Sequence, residues 1–181
     1  MKFDAIVGNP PYQEMDGGNN ASAVPLYQLF MEQAILVEPH YISMIMPARW
    51  YSGGRGLDKF RSEMLNDERL CKMMDFSDSN DCFPGVDIAG GVCYFLWDKS
   101  AHGECKVISV HNGKQSISER KLNEYDTFIR FKEAISIIKK IQLRESKFYS
   151  ERVSSQKPFG LRTYVKPTES GDTVSYTHLR A

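Results

Sequence analysis

Phe3-Asp4-Ala5-Ile6-Val7-Gly8-Asn9-Pro10-Pro11-Tyr12 opens with a short apolar run and stops at two consecutive prolines. The run reads as a buried strand over residues 3–7. The prolines, each with a fixed φ and no N–H to donate, end it in a rigid turn. Beyond a polar loop at residues 16–22, Pro25 is placed to open a helix as its first residue, with Leu26, Phe30, Ala34 and Val37 on one face and Pro39 at its end. Residues 41–46 are apolar enough for a strand buried on both faces, and Pro47 stops it. A second helix follows the loop at residues 52–56, with Leu57, Phe60, Met64 and Leu65 inward.

Residues 71–76 give a weaker strand and residues 91–97 a strong one. The alternation of strands and helices predicts an α/β fold: half of a doubly wound sheet with helices on its faces. The segment 77–90 has no helical period, so the last two strands should form an antiparallel pair rather than a crossover. Past residue 102 come a small strand pair (106–110 and 115–118) and a connecting helix over 131–144 with Ala134, Ile135, Ile138 and Ile141 inward. Residues from 150 onward read as the start of a second domain.

Lys plus Arg equals Asp plus Glu at 23 each over 181 residues, so any contact with nucleic acid has to come from local patches. Hydrophobic residues at 41% place the chain among ordinary globular proteins. The absence of an apolar run near ~20 residues, and of a basic-then-apolar N-terminus, leads to the expectation of a cytoplasmic protein. Cys71, Cys82, Cys93 and Cys105 form no Cys-x-x-Cys pair and have no matching histidines. They are expected to be free thiols, with Cys71 and Cys93 packed in the core and no metal bound.

Asn9-Pro10-Pro11-Tyr12 carries the chemistry. An exocyclic amine conjugated to a ring is a weak nucleophile, and two acceptors on its N–H groups draw the nitrogen toward tetrahedral geometry and stabilise the charge that develops on attack. The Asn9 side-chain oxygen and the Pro10 carbonyl are the candidate acceptors. Pro10 and Pro11 stiffen the turn so that both are aimed in advance, and Tyr12 offers an aromatic face to a base taken out of the stack. Tyr94 and Phe95 are adjacent on a strand and point to opposite faces, which leaves one for the core and one free to face the base. Arg49, Arg55, Lys157 and Arg162 are candidate phosphate contacts, each weighed against an ordinary solvated charge.

The stretch from Phe3 to Gln13 resembles the catalytic motif of the gamma-class, TaqI-like DNA adenine-N6 methyltransferases of bacterial restriction-modification systems. Pro47-Ala48-Arg49-Trp50-Tyr51, Gly53-Gly54-Arg55-Gly56-Leu57, Phe83-Pro84 and Asp87-Ile88-Ala89-Gly90-Gly91-Val92-Cys93-Tyr94-Phe95 look like later blocks of that family in the same order. Pro158-Phe159-Gly160-Leu161-Arg162-Thr163 is similar to the entry into its target-recognition domain. The resemblance implies the C-terminal half of a Rossmann-like methyltransferase sheet with a terminal antiparallel strand. It also implies S-adenosylmethionine as methyl donor, double-stranded DNA as partner and a restriction endonuclease as associated or fused activity.

On that basis residues 1–112 form the catalytic part, 113–149 a connector and 150–173 the start of a target-recognition domain. Residues 174–181 resemble translated adapter sequence and are expected to be a non-native tail. The family places its donor loop and ribose-binding acid upstream of the catalytic motif, so the resemblance implies an incomplete, inactive fragment. Gly54-x-Gly56 does not replace that loop, because no strand leads directly into it and Lys59 stands at the third glycine position. Two alternatives remain: a glutamine methyltransferase of release factors, which shares the same pocket motif, and a non-catalytic truncated product.

Overall fold

The computed structural model describes residues 3–14, 24–54 and 56–144. The chain divides into two compact units, residues 1–137 and 138–181, and the fold described here is that of the first.

Strand β1 (Ala5–Gly8) feeds the turn at residues 9–12. The short strand β2 (Gln13–Glu14) then pairs antiparallel with β3 (Val24–Pro25). Pro25 is thereby committed to a strand, and helix α1 (Tyr27–Leu36) starts two residues later than the sequence suggests. The delay shifts its inner face. Tyr27, Met31 and Ala34 are buried, whereas Phe30 and Val37 are 46% and 44% exposed, so of the expected face Leu26, Phe30, Ala34 and Val37 only Ala34 is buried in the core. The chain then enters β4 (Tyr41–Pro47), which is fully buried on one side only, through Ile42, Met44 and Met46.

Helix α2 (Asp58–Asn66) buries Phe60, Met64 and Leu65, with Leu57 just before it, as its 3.6-residue spacing predicts. It leads to β5 (Leu70–Phe76), β6 (Val92–Asp98), β7 (Cys105–His111) and β8 (Lys114–Arg120). Six strands form one mixed sheet in the order β1-β4-β6-β5-β7-β8. β1 and β4 run parallel, as do β5 and β7, and β6 lies antiparallel to both β4 and β5. The antiparallel β5–β6 pair stands as expected. It sits inside the sheet rather than at its end, because β7 and β8 add to β5 instead of forming a separate hairpin.

One face of the sheet packs under α1 and α2, with Trp50 and Phe60 edge-on at 5.9 Å and Tyr27 and Phe60 at 6.2 Å. Cys93 and Cys105 are buried there, while Cys71 is only half-buried, so Cys105 takes the core place expected for Cys71. Helix α3 (Lys132–Gln142) buries Ile135, and Ile141 is exposed. Among the described residues no helix is long and apolar enough to cross a membrane, and no group of side chains could hold a metal ion.

Asp67 fastens the approach to β5. It accepts from Arg69 Nε at 2.7 Å and from the buried Trp97 indole at 2.9 Å, while the Arg69 guanidinium lies 4.6 Å from the Trp97 ring centre. Burial pushes the Asp67 carboxyl up, but these hydrogen bonds outweigh it and hold it below the usual carboxylate range. A carboxylate held low in the folded state contributes stability above its ordinary pKa and loses it as pH falls through the depressed value. Asp67→Asn should therefore cost about 1–2 kcal/mol at neutral pH, and the gap to wild type in urea midpoint should close on acidification below the ordinary carboxylate pKa. A gap that persists unchanged into that range would show that the charge is not what matters.

Candidate active site

The parallel strands β1, β4, β5 and β7 all end at one edge of the sheet, where the polar residues of the motifs collect. Leu26 N–H donates to the Tyr12 carbonyl at 3.2 Å, and the β2–β3 pair brings the start of α1 back beside the turn. At the far end of β1 the Asp4 carbonyl accepts from the His40 and Tyr41 amides at 2.9 and 3.0 Å, which locks β1 to β4. Asp4 thus plays a structural part at the start of the strand, through its backbone.

A cleft of about 260 Å³ opens at this edge, lined by Tyr12, Gln13, Pro25, Tyr27, Pro47, Arg49, Asp87, Ile88 and Ala89. Pro10 is buried, Asn9 and Pro11 are exposed, and Tyr12 is half-buried. Burial raises the Tyr12 phenol above its ordinary pKa, with the neighbouring Cys82 and Cys93 adding to the rise and the Asn9 side chain opposing it. Asn9 and Tyr12 therefore act on one another across the turn. The Tyr27 hydroxyl is sealed from solvent and has no hydrogen-bond partner among the described residues, whereas the Tyr12 hydroxyl, equally sealed, has the Asn9 side chain near it.

Cleft residues 87–89 belong to a loop held by one buried hydroxyl. Ser79 Oγ donates to the Val86 carbonyl at 2.6 Å and accepts from the Ile88 amide at 2.9 Å. Asp78 Oδ1 receives the Asn80 amide at 2.9 Å, and Asn80 Oδ1 receives the Gly85 amide at 3.1 Å. Phe83 packs with Phe76, Val92 and Val110 under this loop. A wall so fixed holds its shape before anything binds.

Of the residues singled out in the sequence, Tyr12 and Arg49 line the cleft together, and Asn9, Pro10 and Pro11 form the turn that leads to it. Tyr94 and Phe95 do not line it. Phe95 is 1% exposed in the main core, because its side of β6 faces the helices. Tyr94 lies on the other face, its ring 5.9 Å from that of Phe76 and its hydroxyl 2.6 Å from the Met74 sulfur. Arg55, Lys157 and Arg162 lie outside the described residues.

Tyr27 was assigned to neither face of its helix by sequence spacing, and Ser79 carried no signal of its own. Asp87 lay in a quoted block without a role. Their convergence is long-range.

The glycine-rich stretch at residues 53–56 does not suit a nucleotide. The space beside Gly53 is taken by the Asp58 and Arg61 side chains, the Gly54 amide donates to Asp58 Oδ1 at 3.2 Å, and Arg61 Nη1 donates to the Ser52 carbonyl at 2.8 Å. The Gly53 amide is likewise in use, donating to the Trp50 carbonyl at 3.1 Å, so neither glycine amide is free to bind the carboxylate of S-adenosylmethionine.

Residues 1–83 match the family model of the Eco57I restriction-modification methylase. A protein of Mycoplasma pneumoniae described as an uncharacterized adenine-specific methylase is 35% identical over 134 residues, which cover 71% of this chain and 31% of that protein. The chain thus spans about a third of the curated relative it matches. The type IIG restriction endonuclease BpuSI overlays with a TM-score of 0.48 at 15% identity, covering 67% of this chain and 19% of that one. A modification subunit of a putative type I restriction enzyme from Vibrio vulnificus overlays with a TM-score of 0.40 at 15% identity, covering 86% of this chain and 32% of that one. By the match of its first 83 residues and its 35% identity to an adenine-specific methylase, the chain belongs with the restriction-modification methylases.

Proposed function

We propose that this chain supplies the base-binding half of a DNA adenine-N6 methyltransferase, working with S-adenosylmethionine on an adenine flipped out of double-stranded DNA. The observation that carries the reading is the turn at residues 9–12, set at the C-terminal edge of the sheet, whose last residue, Tyr12, lines the cleft. At about 260 Å³ that cleft is below the ~300–1,000 Å³ of pockets for drug-sized ligands.

In this reading the Asn9 side-chain oxygen and the Pro10 carbonyl accept from the two N–H groups of the amine, and Tyr12 supports the flipped ring. Pro10 and Pro11 keep that geometry rigid. As the nitrogen attacks, charge builds on it where both acceptors already point, so neither has to reorganise. S-adenosylmethionine supplies the methyl group, and no step on its side of the reaction is assigned to these residues. Arg49 at the rim is the described cation best placed for DNA phosphate; Arg55, Lys157 and Arg162 retain the same proposed part. A restriction endonuclease partner, and a target-recognition domain beginning near residue 150, belong to the proposal as well.

A full-length adenine-specific methylase carrying residues 3–165 of this chain in place of its own segment tests the reading. With radiolabelled donor and unmethylated genomic DNA, hydrolysed product should carry the label in N6-methyladenine. Label in N4-methylcytosine, or in a glutamine of added release factor instead of DNA, would refute it.

A further inference from the structure

Of the two tyrosines on the cleft wall, Tyr27 has an unusual feature. Tyr27 is 2% exposed, its ring fixed edge-on to Phe60 at 6.2 Å, and its hydroxyl is sealed without a partner among the described residues. The Tyr12 hydroxyl is also sealed, with the Asn9 side chain near it. Buried hydroxyls in folded proteins are almost always paired, and an unpaired one is destabilising, so a phenylalanine would fill the place of Tyr27 more favourably. An orphaned donor on a residue that lines the cleft indicates a ligand that brings an acceptor atom to it. Burial raises both phenols, so each keeps its proton and can donate. The remaining polar side chains of the wall are Gln13, Arg49 and Asp87.

We propose that Tyr27 is a specificity-determining residue of the cleft: its hydroxyl donates a hydrogen bond to an acceptor nitrogen of the purine ring. The inference rests on the adenine reading above and deepens it. The Asn9 and Pro10 acceptors select an amine, and Tyr27 selects an unprotonated ring nitrogen, so together they require adenine's pattern of donor beside acceptor. Tyr27 reaches this place because Pro25 is paired with Gln13, which sets the first turn of α1 against the wall.

The test uses the 181-residue chain, titrated with adenosine and with its 1-, 3- and 7-deaza analogues, and followed by the amide resonances of residues 9–13 and 26–28. Wild type should bind adenosine, and at least one analogue about three- to tenfold more weakly, the range of one neutral hydrogen bond. Tyr27→Phe should bind adenosine as weakly as wild type binds that analogue and should no longer distinguish the two. Its melting temperature should be unchanged or higher, because an unpaired hydroxyl has been removed. A variant that still discriminates, or one that melts lower because the hydroxyl has a structural partner, would overturn the proposal. If Tyr12→Ala weakens adenosine binding while Tyr27→Phe does not, the adenine cleft stands and the Tyr27 assignment alone fails. If adenosine shifts none of these resonances in wild type, the adenine reading fails, and this inference falls with it.

Discussion

Asn9→Ala, placed in a full-length methylase carrying this segment, should lower kcat by about 10²–10³ while leaving DNA binding nearly unchanged. The asymmetry follows from where the residue sits. Asn9 is exposed on a turn whose shape is set by the buried Pro10, so truncation removes an acceptor without opening a cavity. Stability should move by less than about 0.5 kcal/mol, as for other surface substitutions. The acceptor acts mainly as charge develops on the amine, so its loss falls on the chemical step. Tyr12→Ala should behave differently, because stacking supports the extrahelical base before as well as during reaction. A 2-aminopurine at the target position reports flipping separately from turnover. Asn9→Ala that abolished the flipping signal yet kept single-turnover chemistry would invert the two roles.

The proline-stiffened turn was legible because its chemistry is local: a strand ends where two residues cannot continue it, whatever else the chain does. The inner face of α2 was legible for a similar reason, since Leu57, Phe60, Met64 and Leu65 repeat at helical spacing with polar residues between them. Helix α1 was misphased because the fate of Pro25 depends on Gln13, twelve residues away across a loop, and pairing over that distance leaves no periodic trace. The interior position of β6 was missed for a related reason. Nothing in residues 92–98 records that β7 will add to the far side of β5.

Tyr94 and Phe95 show the limit of strand alternation. Period two says that they face opposite ways, but it does not say which side the helices cover. The side that carries Phe95 is the covered one. The cleft itself was half-visible: Tyr12 and Arg49 stood out as motif residues, whereas Tyr27 and Asp87 enter it through the β2–β3 pairing and the Ser79-braced loop. Short-range chemistry marked the turn proposed to hold the amine, and long-range packing supplied the rest of the cleft wall.

Gly91→Ala should destabilise the fold by about 3 kcal/mol or more, whereas Gly90→Ala, one residue earlier, should cost only about 1 kcal/mol. Both glycines have positive φ, +89° at Gly90 and +77° at Gly91, so both substitutions carry the cost of placing an L side chain in the left-handed region. Their surroundings differ. A Cβ at Gly90 meets nothing within 4 Å, but one at Gly91 runs into the Phe76 carbonyl oxygen and lies 2.9 Å from that of Ser77. Those carbonyls are backbone, the last of β5 and the one just after it, and cannot yield as a flexible side-chain tip would. Gly91 also ties the site together: its N–H donates to the Ile88 carbonyl at 2.8 Å, and its carbonyl accepts from the Ala48 amide at 3.0 Å. Displacing it would move Ile88 and Ala89 on one wall of the cleft and Arg49 on the other, so adenosine binding should weaken along with stability. Urea unfolding of the two single variants, with adenosine titration of each, separates backbone strain from steric block. Equal losses at the two positions would mean that φ alone sets the cost and that the close approach of β5 relaxes freely. A Gly91→Ala protein that unfolds early yet keeps wild-type adenosine affinity would uncouple the β5–β6 junction from the cleft.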